Sequence, residues 1–156
     1  MDRTDYKILN ILQADSRTTL KDIGDHVGLT APAVSERIRK MEASGLIERH
    51  TTIINNQKAG KDVTALLQVA LEHPRYNDDF RAVVQDNREV LECYFVTGEF
   101  DYLLKVVTGN TESLERLLNT IKSIPGVQRT LTSVVMSSVK FQPSVSPDEL
   151  TLKERR

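Results

Sequence analysis

The 156 residues contain a single cysteine, Cys93, and three histidines, His26, His50 and His73, that lie far apart in the chain. One cysteine excludes an intrachain disulfide, a C-x-x-C redox pair and a thiolate zinc site, and leaves a buried, reduced thiol as its expected role. The scattered histidines suggest no Ser/His/Asp or Cys/His grouping. Neither an H-E-x-x-H pair nor a glycine-rich phosphate loop occurs, so the expectation is a chain that is not an enzyme and uses no cofactor or metal. No apolar run approaches the roughly 20 residues that cross a bilayer. The opening MDRTDYK lacks the apolar segment of a signal peptide, which points to the cytoplasm and to no membrane partner. Low-complexity segments and short repeats are missing too. So is an excess of charge of one sign, because the formal net charge is −1.

What the chain does have is concentrated in residues 20–40, LKDIGDHVGLTAPAVSERIRK. Ile23 and Val27 form an i, i+4 apolar pair that ends at Gly28, a residue able to take the positive φ needed to leave a helix abruptly. Leu29 then fills the corner. Thr30 can cap a second helix, Pro32 sits in its first turn where a missing N–H costs nothing, and Val34, Ile38 and Met41 repeat at helical spacing. Pro32, Ala33, Ser35, Glu36, Arg37, Arg39 and Lys40 point away from that stripe. Together with Thr30 they are the candidate DNA contacts, offering small surfaces for close approach and donors for phosphates or base edges of double-stranded DNA. A helical hairpin with a solvated face also carries Arg and Lys. Gly24 favours the sharper reading, because a side chain there would hold two closely packed helices apart, as in a helix-turn-helix.

Dividing the chain shows only a mild charge asymmetry. Residues 1–61 hold 10 Lys and Arg against 8 Asp and Glu, residues 62–147 hold 8 against 11, and residues 148–156 hold 3 against 3. A field this weak holds DNA poorly at physiological salt, since phosphate neutralisation supplies much of the affinity. DNA binding therefore requires self-association, which multiplies the contacts.

Periodicity predicts a packing helix over 5–13 capped by Asp2 or Thr4, a helix from Thr19 to about 27, and a recognition helix to about 44 before Gly45. An extended segment over 48–55 places Arg49 and His50 as a wing beside DNA, and residues 55–62 form a linker. Strand 63–71 follows, then a helix over 77–87 with Phe80, Val83 and Val84 in its stripe. A strand over 91–97 joins a strand over 100–108 through a two-residue Gly98-Glu99 turn of type II′. Thr111 caps the last helix, Pro125-Gly126 end it, and a long strand spans 127–141. The fold class is α+β: a helix-turn-helix domain over 1–54, then a ferredoxin-like βαββαβ domain over 63–142. The charged segment 143–156 reads as a mobile tail or exchange arm. Both helices of the second domain cover one sheet face, so the other face is expected to pack on a second subunit.

With DRTDYKILNILQADSR ahead of the helix-turn-helix, ERIRKMEASGLI within it, and VTGEFDYLLKV and TLTSVVMSSVK in the second domain, nearly the whole chain resembles the leucine-responsive and asparagine-responsive (Lrp/AsnC) regulators. The resemblance implies a transcriptional regulator that dimerises through its C-terminal sheet and assembles into tetramers or octamers. It also implies a small-molecule effector, usually an amino acid, that sets assembly and DNA affinity. The family's effector site maps onto residues 97–102, where N–H groups at Gly98, Glu99 and Phe100 suit a carboxylate and Asp101 suits an ammonium. Its second part maps onto residues 130–135, with Thr132, Ser133, Val134 and Val135 supplied by a neighbouring subunit. Tyr94 and Glu99 are the candidates for selectivity. If Glu99 faces the ligand a basic amino acid is expected, and if it faces solvent an apolar one is as reasonable. Two alternatives share the architecture: a tetrapyrrole decarboxylase-like enzyme with a worn reading helix, and an effector-binding partner that acts without DNA.

Overall fold

The computed structural model describes residues 1–145, which form two compact units: residues 1–52 with 140–145, and residues 53–139. In the first unit α1 (Arg3–Ala14), α2 (Leu20–Val27) and α3 (Ala31–Ala43) surround a core of Ile8, Leu9, Ile23, Val34 and Met41. Asp2 is the cap of α1, accepting from the N–H groups of Thr4 and Asp5, while the Asp5 carboxylate accepts from the Asp2 N–H. Thr19 accepts from the Asp22 N–H and starts α2.

The exit from α2 is set by two glycines. Gly28 adopts φ 71°, which turns the chain out of the helix at little steric cost. Gly24 is buried, and a Cβ placed on it would collide with the backbone carbonyl oxygen of Leu29. Leu29 in turn donates its N–H to the Gly24 carbonyl at 3.0 Å, so the turn is closed against the helix it leaves. Thr30 stands at the N-cap of α3 with extended backbone but makes no side-chain cap bond, contrary to the expected hydroxyl cap; Pro32 in the first turn has no N–H to satisfy.

The second unit is a four-stranded antiparallel sheet of order β2-β3-β1-β4, built from β1 (Val63–Leu71), β2 (Val90–Phe95), β3 (Tyr102–Thr108) and β4 (Val127–Val134). With α4 (Asn77–Asp86) and α5 (Thr111–Lys122) this is the ferredoxin-like arrangement. Ala65, Leu67 and Val69 of β1, and Tyr102, Leu104 and Val106 of β3, are buried with Phe80, Val84, Leu114, Leu117 and Ile121 from the helices. The opposite face is open. Its rows run Tyr94, Leu103, Gln68, Leu131 and Glu92, Lys105, Leu66, Ser133 across the four strands.

Several boundaries differ from the sequence expectation. Residues 48–55 carry no strand, and β4 stops at Val134, opposite Ala65, well short of the expected residue 141. The β2–β3 connection has six residues, 96–101, in place of a two-residue turn, closed by a bond from the Val96 N–H to the Asp101 carbonyl at 2.8 Å. Val83 is exposed, since only Phe80 and Val84 of α4 face the sheet. Cys93 is also exposed because β2 is an edge strand, although partial desolvation of its thiol pushes its pKa up. At the chain's far end, Gln13 donates to the Val145 carbonyl at 2.8 Å and the Ser144 hydroxyl at 3.1 Å; the rest of the expected tail lies outside the described residues.

Gly24→Ala tests the close approach between α2 and the turn. Alanine gains about 1 kcal/mol in helix propensity, but the added methyl meets a backbone oxygen and should destabilise the first unit by about 1–3 kcal/mol net. Urea or thermal melts should show the loss, and unchanged stability would mean that the turn is not held by this contact.

Candidate functional site

The α3 surface divides into three parts. Val34 and Met41 are buried, and Ile38 packs against the same core. Pro32, Ser35, Glu36, Arg39 and Lys40 are exposed, and Ala33 is half-buried among them. Glu36 neutralises the basic pair in the free protein: Arg39 makes bonds of 2.9 and 2.8 Å to its two oxygens, and Lys40 lies 3.7 Å away. The Arg39 hydrogen bond also holds the Glu36 carboxyl below its usual pKa. Exposed pairs of this kind contribute little to stability, so Arg39 and Lys40 can exchange Glu36 for phosphate. Glu36 is thus a partner of both cations in the free protein.

Arg37 differs from the sequence reading. Its guanidinium lies 2.7 Å from Asp5 and 2.8 Å from Asp2, which ties it to the start of α1. Of the expected wing, His50 sits 3.1 Å from Glu42.

The second candidate site is the loop at residues 96–101. Gly98 has φ 123°, a conformation that only glycine takes readily, and a Cβ there would meet nothing within 4 Å. Hydrogen bonds within the described residues leave the N–H groups of Gly98, Glu99 and Phe100 unused. Asp101 also has a structural role that the sequence reading did not foresee, because its Oδ2 accepts the Leu71 N–H at 2.7 Å and its own N–H bonds Val69. It holds the loop to the end of β1. Sequence reasoning missed Arg129 of β4, whose guanidinium stacks 4.5 Å over the Phe100 ring and donates to the Glu99 carbonyl at 3.3 Å. The signal was indirect, since only the register that pairs Arg129 with Ala70 brings it to this loop.

The remaining expected residues lie elsewhere. Tyr94 is on the open sheet face, opposite Leu103, with its hydroxyl donated to Glu92 at 2.9 Å. Thr132 and Val134 share the side of Leu67 and Ala65, whereas Ser133 is on the open side with Leu66. The loop adjoins the Val69 end of the sheet and Val134 pairs at the Ala65 end, about 13 Å away at the strand repeat. Val135 follows, donating to the Thr64 carbonyl. Within one chain Thr130 pairs with Val69 next to the loop, while residues 132–135 lie away from it.

Comparison with known proteins agrees with both halves of this geometry. The AsnC-type helix-turn-helix domain matches residues 1–42, and the Lrp/AsnC ligand binding domain matches residues 64–145. The chain belongs to the Lrp/AsnC family of transcriptional regulators. The leucine-responsive regulatory protein of Salmonella typhimurium is 36% identical over 143 residues, covering 90% of this chain and 87% of the relative. The transcriptional regulator NMB0573 of Neisseria meningitidis, solved with L-Met, superposes with TM-score 0.88 at 28% identity, covering 93% of this chain and 96% of that one. The feast or famine regulatory protein Rv3291c of M. tuberculosis, complexed with L-methionine, gives 0.86 at 29% identity over 94% and 99% of the two chains. The helix-turn-helix match spans α1, α2 and nearly all of α3, and no helix among the described residues is long and apolar enough to cross a membrane.

If Arg39 exchanges Glu36 for a phosphate, Arg39→Ala should lower DNA affinity and reduce the slope of log K against log salt by about 1. Fluorescence anisotropy over a salt series reads both. An unchanged slope would remove Arg39 from the interface.

Proposed function

We propose that this Lrp/AsnC regulator binds an amino acid at the 96–101 loop and that occupancy changes its assembly and hence its DNA affinity. The observation that carries this reading is the trio of unused N–H groups at Gly98, Glu99 and Phe100, in a loop pinned from both sides by Asp101 and Arg129. Unpaired backbone N–H groups of a loop can receive a carboxylate. The L-methionine complexes of the two structural relatives support the same ligand class. Glu99 is 83% exposed with Arg129 3.8 Å away, so its charge turns outward and an uncharged, apolar amino acid fits better than a basic one. A second copy of the chain, not a cofactor, completes the site, supplying the Ser133 and Val135 end of its own sheet.

Dimerisation through the open sheet face belongs to the same reading. Leu66, Tyr94 and Leu131 are exposed there, and two such faces packed together bury them all. Each dimer presents two α3 helices, and tetramers or octamers present more, which offsets the weak charge of a single unit. The protein acts in the cytoplasm as a regulator without catalysis of its own.

Mobility shift on the upstream DNA of its own gene, with and without each standard amino acid, and light scattering on the same samples, tests the reading. At least one apolar amino acid should alter both. Asp101→Ala should leave basal DNA affinity within about twofold while abolishing the response, with a stability loss of about 1–2 kcal/mol from the orphaned Leu71 N–H. A response to none of the amino acids would remove the effector claim, and loss of basal DNA binding in the variant would make Asp101 purely structural.

A further inference from the structure

Asp2 and Asp5 build the capping box of α1, and that geometry has a by-product. Asp2 Oδ1 takes the N–H groups of Thr4 and Asp5, and Asp5 Oδ2 takes the Asp2 N–H. The two remaining oxygens, Asp2 Oδ2 and Asp5 Oδ1, are left close together, and like charges so placed repel. One nitrogen of Arg37 bridges them, at 2.8 and 2.7 Å. The Asp5 side chain is only 14% exposed, so this end of the bridge is shielded from solvent. Apolar packing does not replace it: a cleft of about 500 Å³ opens here between the start of α1 and α3, lined by Asp5, Ala33, Arg37, Lys40 and Met41 among others.

We infer that Arg37 is a positioning residue for DNA reading, a clamp that fixes the tilt of α3 against α1 and does not itself touch DNA. Resting on α3 as the family's DNA-reading helix, the inference assigns different work to three neighbouring cations. Among the described residues Arg39 and Lys40 are held by Glu36 on their own helix, an exposed partner they can exchange. Arg37 is committed to residues 32 and 35 positions earlier in the chain, on a different helix. A helix that tilts displaces Pro32, Ala33 and Ser35 from the base edges while barely moving its charge, so the clamp governs selectivity more than total electrostatic attraction.

The test uses the full chain, a duplex carrying its own upstream region, and a random duplex of equal length. Arg37→Ala should weaken upstream-duplex binding by about tenfold, leaving random-duplex affinity and the salt slope as in the parent protein. The decisive variant is Asp2→Asn with Asp5→Asn, which keeps Arg37 and a competent cap but releases the guanidinium. A clamp predicts weaker selective binding in that double variant. A phosphate contact predicts the reverse, because a cation freed from two carboxylates binds DNA more tightly. A salt slope reduced by about 1 in Arg37→Ala, or tighter binding by the double variant, would overturn the inference. Absence of DNA binding by the parent protein would instead strike the reading of α3 on which it rests.

Discussion

The carbonyl oxygen of Leu29 occupies the space where any residue but glycine at position 24 would carry a Cβ. That single close approach decides how sharply the chain turns between α2 and α3, and the rest of the DNA-reading unit follows from it. With the turn tight, Val34 and Met41 reach the core shared with Ile8 and Ile23, and Ser35, Glu36, Arg39 and Lys40 are left outside. The turn sets where α3 begins; the bridge from Arg37 to Asp2 and Asp5 then restrains its tilt. A backbone contact and a charged clamp thus act at two points along one helix.

The second unit has a comparable division of labour. Its helices cover one face of the sheet and bury Leu67, Val69, Tyr102 and Leu104, while the other face keeps Leu66, Tyr94 and Leu131 exposed around the Glu92–Lys105 pair. A face of that composition suits sheet-on-sheet pairing, with the ion pair favouring one register over others. The 96–101 loop lies at one end of the sheet and the Ser133–Val135 segment at the other, so a ligand that needs both requires a neighbour. In this account effector binding and assembly are one event, and the small net charge of the reading unit makes DNA affinity sensitive to it.

Periodic and local features were legible in the sequence: the three N-terminal helices, the role of Gly24, the order βαββαβ and the one-sided cover of the sheet. Features set by distant partners were not. Nothing near Arg37 announces its bridge to Asp2 and Asp5. Asp101 stands in a hairpin that suits an ammonium partner, yet a register thirty residues away delivers the Leu71 N–H to its carboxylate. Arg129 was overlooked for the same reason. The faces of Thr132 and Ser133 likewise depend on which residues of β1 they oppose. The six-residue loop was missed because Gly98 alone satisfies a two-residue turn equally well.

Coupling between the two units is the central claim, and linkage makes it measurable from the effector side. Calorimetric titration of the tightest-binding amino acid into the free protein, and into the protein saturated with its upstream duplex, should give affinities that differ by the same factor by which that amino acid changes DNA affinity. Equal affinities in the two titrations, with the amino acid bound in both, would contradict the account.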